Sequence, residues 1–146
     1  MKHFLLILAL LFTTIPQVEA AKADRTYGTL VVQKVVSVYD GDSFRADIAG
    51  VHPLLGKDIG IRVYGVDTPE IRGKCDSEKA AAKNVKRFVE QVLRTANTIE
   101  LREVRRDKYF RINAVVVVDG RSLGAMLIQR NMAYPYFGKT KREWCN

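Results

Sequence analysis

Residues 61–70 read Ile61-Arg62-Val63-Tyr64-Gly65-Val66-Asp67-Thr68-Pro69-Glu70, an apolar strand running into a forced turn. Strand side chains alternate, so Ile61, Val63 and Gly65 are expected on one face and Arg62, Tyr64 and Val66 on the other. Pro69 has no amide hydrogen and biases Thr68 away from helix, which ends the strand at residues 67–70. Two carboxylates, Asp67 and Glu70, are thereby brought together beside Arg62. Like charges held close repel and raise each other's pKa, so such a cluster is costly if stability is its only purpose. A hard metal ion and a phosphate would relieve both signs of charge together.

The surrounding segments have the punctuation of a small β-protein. Residues 30–39 are valine-rich and read as a strand, Asp40-Gly41 as a turn, and residues 43–48 as the returning strand of a hairpin. Residues 49–58, with Gly50, Pro53 and Gly56, read as a loop before a third strand over 59–66. A helix is expected next. Ser77 is a candidate N-cap, Glu78 suits the positive end of the helix dipole, and Val85, Phe88, Val89 and Val92 make an apolar stripe. Lys79, Lys83, Lys86 and Arg87 then form a solvated cationic face. Residues 98–104 return to strand, 105–111 form a charged hairpin tip, and 112–118 are the most apolar strand. Ser122 can cap a second helix through Arg130 that buries Leu123, Met126 and Leu127. The class implied is α+β, mainly β, with two to three helices. Five strands in meander order with an interposed helix point to a closed barrel, of which the OB-fold is the nucleic-acid-binding example.

Residues 1–20 stand apart from this pattern. Lys2 and His3 make a basic start, residues 4–12 are apolar, and Val18-Glu19-Ala20 offers small residues for cleavage. This is the form of a secretory signal peptide, too short for a comfortable bilayer span. Residues 21–146 are then expected to be a single domain of ordinary size. Removing residues 1–20 takes away Lys2 and Glu19 together, so the net charge stays at +8. A domain this basic suits a polyanion such as nucleic acid, anionic lipid or acidic polysaccharide. The chain has two cysteines, Cys75 and Cys145. Export to an oxidising compartment makes them a candidate disulfide, and neither has a partner at zinc-ligand spacing.

Asp42, Asp67 and Glu70 are the carboxylates that stand out, whereas Asp40 reads as a turn former. Carboxylates with a backbone carbonyl are the all-oxygen set that Ca²⁺ prefers, and the scarcity of histidine argues against zinc or copper. His52, beside Pro53, reads as a solvated loop residue. Arg62 and Arg111, each at a strand end, can grip a phosphate through two donors, or can pair structurally with the same carboxylates.

Residues 38–43 (Val-Tyr-Asp-Gly-Asp-Ser), Arg62, residues 66–70 (Val-Asp-Thr-Pro-Glu) and residues 107–111 (Asp-Lys-Tyr-Phe-Arg) together resemble the staphylococcal nuclease (thermonuclease) family. The resemblance runs over about residues 29–137, and the Val-Asp-Thr-Pro-Glu block is its most specific part. It implies a five-stranded OB-fold barrel that cleaves DNA and RNA with Ca²⁺, leaving 3′-phosphate and 5′-hydroxyl ends. Asp42 and Asp67 would hold the ion through carboxylates and Thr68 through its carbonyl. Glu70 would orient or deprotonate water, and Arg62 and Arg111 would neutralise the phosphate. Lys108 and Tyr109 match positions that contact a neighbouring phosphate, and Tyr136 or Phe137 falls where an aromatic stacks on a base. Three departures stand out. Phe110 replaces a common Gly, and where that Gly uses a positive φ the phenylalanine is expected to reshape the tip and re-aim Arg111. The segment 51–58 is longer than in the type enzyme. The pairing of Cys75 with Cys145 is similar to some exported bacterial relatives.

The leading expectation is an exported, monomeric, Ca²⁺-dependent nuclease of the periplasm or the medium, with no stable membrane association once the signal is cut. The alternatives are a non-catalytic OB-fold module that only binds nucleic acid, and a basic protein adhering to envelope polyanions.

Overall fold

The computed structural model describes residues 25–145, so the expected signal segment 1–20 lies outside the described residues. The elements run in the order β1 (Leu30–Val38), β2 (Ser43–Ile48), α1 (Pro53–Gly56), β3 (Ile59–Val63), β4 (Val66–Asp67), α2 (Asp76–Arg94), β5 (Ile99–Arg106), β6 (Ile112–Val118), β7 (Arg121–Ser122), α3 (Leu123–Gln129) and β8 (Tyr134–Pro135). Strands β3-β2-β1-β5-β6 are neighbours in one sheet, and a further pairing of β3 with β6 closes it into a five-stranded barrel. All the other barrel pairs are antiparallel; this closing pair is parallel, Ile61 opposite Ile112 and Val63 opposite Ala114. Mainly β, with three helices, this is the expected OB-fold. Register shifts within β1, between Val32 and Lys34 and between Val35 and Ser37, bend that strand round the barrel.

The core is built from alternate residues of the strands and one face each of α2 and α3. Phe44, Ile61, Val63, Leu101 and Val116 are buried from the barrel, Val89 from α2, and Leu123 and Leu127 from α3. Each such side chain removed from water contributes about 1.5–3 kcal/mol. The buried stripe of α2 is Ala82, Val85, Val89 and Leu93, while Phe88 and Val92 lie at its margin, half-buried. Lys79, Lys83 and Arg87 are exposed, as a solvated face should be. Gly41 lets the β1–β2 turn press against α2, since a Cβ there would stand 2.4 Å from Val85 Cγ1 and 2.8 Å from Thr68 Cγ2. No helix among the described residues is long and apolar enough to cross a membrane.

Four local expectations need correction. The third strand stops at Val63, not Val66, because Gly65 takes φ +81° and the chain turns. The turn breaks the alternation, so Val66 is buried in the core and pairs with Pro135 in a separate two-stranded ribbon. The long helix begins at Asp76 with Cys75 in the N-cap position, where no side-chain cap bond forms, and Ser77 is already helical. The segment over 49–58 contains the one-turn helix α1, and His52 caps it by accepting from Leu54 N at 3.2 Å. Ser122 does cap α3, its Oγ accepting from Ala125 N at 3.3 Å.

Candidate active site

The tight β1–β2 turn delivers two buried acids. Asp40 Oδ1 accepts from Asp42 N at 3.2 Å, the local bond that makes Asp-Gly-Asp a turn. Asp42 is in turn held from three sides. Its Oδ1 accepts from Ser43 Oγ at 2.9 Å and pairs with the Arg62 guanidinium, and its Oδ2 accepts from Thr68 N at 3.2 Å. Arg62, on β3, also donates from Nη2 to the Val66 carbonyl at 3.1 Å, so one arginine ties the turn to the strand end. Burial opposes the charge on Arg62, but Asp42, then Asp40 and Asp67, more than offset it and hold its pKa above the usual arginine value. Burial, then the charge of Asp42, pushes the Asp40 carboxyl up to about 7. Asp40 is therefore both the expected turn former and part of the acidic cluster, a role its position next to Gly41 conceals in sequence.

Asp67 and Glu70 are joined through a residue that sequence reading missed. Lys141 Nζ lies 2.7 Å from Asp67 Oδ1 and 3.0 Å from Glu70 Oε1. Burial opposes the lysine's charge, but the two carboxylates raise its pKa well above the ordinary value. Trp144 Nε1 donates to the other Asp67 oxygen, Oδ2, at 3.4 Å, and its ring stacks on Tyr134 at 4.3 Å between centroids. The tail is secured by the Cys75–Cys145 disulfide, with Cα atoms 6.0 Å apart across 70 residues of sequence. Cys75, Glu78 and Cys145 do cluster. Bonded to each other, these sulfurs offer no thiolate to a metal. Nothing in the sequence marks Lys141 among the many cations of the tail.

Across the groove stands the β5–β6 tip. Phe110 adopts φ +56°, so the left-handed turn is kept despite the side chain, at a cost of about 1–2 kcal/mol. Its ring is exposed, and Arg111 turns inward, its aliphatic stem against Gly60. Asp107 orients it, accepting from Arg111 Nη2 at 2.8 Å and from Tyr109 N at 2.7 Å. Burial would raise the Asp107 pKa, but the Tyr109 amide, then Arg111 and the nearby Arg62, hold it below the usual carboxylate value. Arg111 Nε is buried without a hydrogen-bond partner among the described residues. A guanidinium N–H left so is costly unless a ligand accepts from it.

These groups line one groove of about 1110 Å³, which Asp40, Asp42, Arg62 and Glu70 share with Arg111. Lys108 and Tyr109 are exposed on its rim, Lys108 Nζ 4.9 Å from the Tyr109 ring centroid, and Tyr136 lines the other end. Phe137 packs edge-on against Tyr64, at 5.7 Å between centroids. The longer 51–58 segment contributes Leu54, exposed, to the groove wall. Asp67 and Thr68 do not open onto this groove. Asp67 is reached from a smaller adjoining hollow of about 310 Å³, and Lys141 lines both spaces.

A mainly β OB-fold barrel with a groove of paired carboxylates and guanidiniums is the class of a nucleic-acid-processing domain. Comparison with protein families gives the particular one: residues 60–144 match the family described as Staphylococcal nuclease homologue, and the chain belongs to that family. No curated protein matches the chain. Membership brings a nuclease-like, nucleic-acid-binding function in general terms, in a family of generally metal-dependent hydrolytic nucleases.

Proposed function

We propose that this protein is an exported, Ca²⁺-dependent nuclease that hydrolyses phosphodiester bonds of DNA and RNA with little sequence preference. One observation carries the reading. The same groove is lined by carboxylates and by Arg111, whose buried Nε has no acceptor among the described residues. Asp42, Asp67 and Glu70, with Asp40 only partly ionised near neutrality, outnumber the cations Arg62 and Lys141, which leaves between one and two negative charges for a divalent ion to balance. The donors are hard oxygens, which fits Ca²⁺; Asp42 and Asp67 would hold it through carboxylates and Thr68 through its carbonyl. Bound there, the ion would supply Lewis-acid polarisation of a phosphate oxygen.

The chain's own residues do the rest. Glu70, half-exposed on the groove, takes the proton from the attacking water. Arg62 and Arg111 donate to the phosphate oxygens, and that pairing strengthens as charge gathers in the transition state. Each arginine is already braced by a carboxylate, Asp42 or Asp107, so its aim is set before substrate arrives. Water adds to phosphorus, the bond to the 5′ oxygen breaks, and that oxygen takes a proton from solvent, leaving a 3′-phosphate and a 5′-hydroxyl. Lys108 and Tyr109 bind a flanking phosphate, and Tyr136 stacks on a base. We take residues 1–20 as the export signal and residues 21–146 as one monomeric domain in the periplasm or the medium. The Cys75–Cys145 disulfide supports that destination.

Plasmid DNA incubated with the purified protein should be degraded with Ca²⁺ and spared with a chelator. Digestion that survives chelation overturns the calcium mechanism, and DNA bound but uncut under all conditions would favour the binding-module alternative. Lys141 competes for the oxygens of Asp67 and Glu70. Lys141→Ala is therefore expected to tighten Ca²⁺ binding by about tenfold, measured by titration calorimetry. Unchanged affinity would show that the lysine stands clear of the ion.

A further inference from the structure

Glu78 occupies an odd place for a carboxylate. It is the first member of the inward stripe of α2, one turn before Ala82, Val85 and Val89, and is only 7% exposed. A charge in such a position is costly unless hydrogen bonds compensate it. Here the compensation comes from the loop that carries Glu70. Glu78 Oε1 accepts from the Glu70 backbone N–H at 3.2 Å, and Oε2 accepts from the Lys74 N–H at 2.8 Å. Gly73 makes the approach possible, since a Cβ there would lie 2.4 Å from Glu78 Cδ. Cys145 Sγ covers the carboxylate from above at 3.7 Å from Oε2. The dipole of α2 favours negative charge in this first turn.

We propose that Glu78 is a positioning residue for Glu70. It lines the smaller hollow with Asp67 and Glu70 but not the main groove, and both of its carboxylate oxygens accept from backbone amides, so its hold on Glu70 is through the backbone. By holding both ends of the 70–74 loop it fixes where the Glu70 side chain leaves the chain, and hence its aim at the attacking water. Pro69 sets the direction of the preceding turn but supplies no amide for anchoring, so the Glu70 N–H is the first donor available. The inference rests on the reading that Glu70 receives the proton.

Two variants test it. Glu78→Gln keeps one acceptor and turns an NH₂ toward the other donor. Glu78→Leu loses both bonds and leaves two amides without that acceptor, a cost the longer apolar stripe offsets only in part, so thermal unfolding first establishes that each variant is folded at the assay temperature. With Ca²⁺ saturating, kcat on DNA should fall in the order wild type, Gln, Leu, the Leu variant by roughly tenfold to a hundredfold. KM and the Ca²⁺ Kd should stay constant, because Glu78 is not among the residues assigned to hold the ion or the substrate. A stable Leu or Gln variant with full kcat, or a loss that falls on KM instead, overturns the inference while leaving the nuclease reading intact. A wild-type protein that cuts no DNA with Ca²⁺ overturns both.

Discussion

Glu70→Gln is expected to lower kcat on DNA by about 10²–10⁴-fold, the usual contribution of a general base, while DNA binding stays near wild type. The amide is isosteric and cannot accept the proton from water. The backbone of residue 70 remains anchored, because its N–H is held by Glu78 rather than by its own side chain. The substitution also removes one of the two carboxylates that hold Lys141, leaving Asp67 at 2.7 Å as the other. The Lys141 contact therefore persists, and the loss reads on chemistry rather than on collapse of the site. Single-turnover cleavage of a labelled duplex, with fluorescence anisotropy for binding, separates the two. Equal cleavage by variant and wild type would remove Glu70 from the role of base and shift attention to Asp40, whose carboxyl on the groove is pushed up by burial.

The second large effect is on stability. Replacing Cys75 and Cys145 together by Ser releases a cross-link spanning 70 residues of sequence. In the chain-entropy treatment a loop of that length is worth about 4 kcal/mol. The other restraints on the tail are smaller. Its ion pair between Lys74 and Glu143, at 3.4 Å, is exposed, and such pairs contribute about 0–1 kcal/mol. The Trp144–Tyr134 stack adds about as much again. Cys75 is also the N-cap of α2 and makes no capping bond, so the covalent link holds a helix start that lacks the usual side-chain acceptor. The midpoint of thermal unfolding should fall by on the order of 15 °C in the double variant. A reductant should reproduce that fall in wild type and have no effect on the variant. An unchanged midpoint would mean that the ordered tail, rather than the cross-link, supplies the stability.

Much of the site was legible because its residues are close in sequence and chemically unambiguous. Asp67, Thr68 and Glu70 sit within one turn that Pro69 enforces, and Asp42 is tied to it through Arg62 and the Thr68 amide. Arg111 was legible as a donor at a strand end. Phe110 takes a φ of +56°, and Arg111 lines the groove beside it. Asp40 was read too narrowly. A turn-forming Asp and a buried, perturbed Asp look alike in sequence, and only the packing of α2 against Gly41 buries this one.

From the residues alone came the local elements that a short-range force sets up: the β1–β2 hairpin around Asp40-Gly41 and the α3 cap at Ser122. Also legible were the acids and arginines whose chemistry suits a divalent ion and a phosphate. Tertiary structure alone supplied what depends on distant chain segments meeting. The parallel β3–β6 pairing closes the barrel, the Gly65 turn buries Val66, and Glu78 clasps the Glu70 loop. Lys141 reaches Asp67 across 74 positions of sequence, which no periodicity or motif encodes. The physical reason is one of range. Backbone sterics and capping bonds act within a few residues, whereas burial and ion pairing depend on which surfaces the closed barrel brings together.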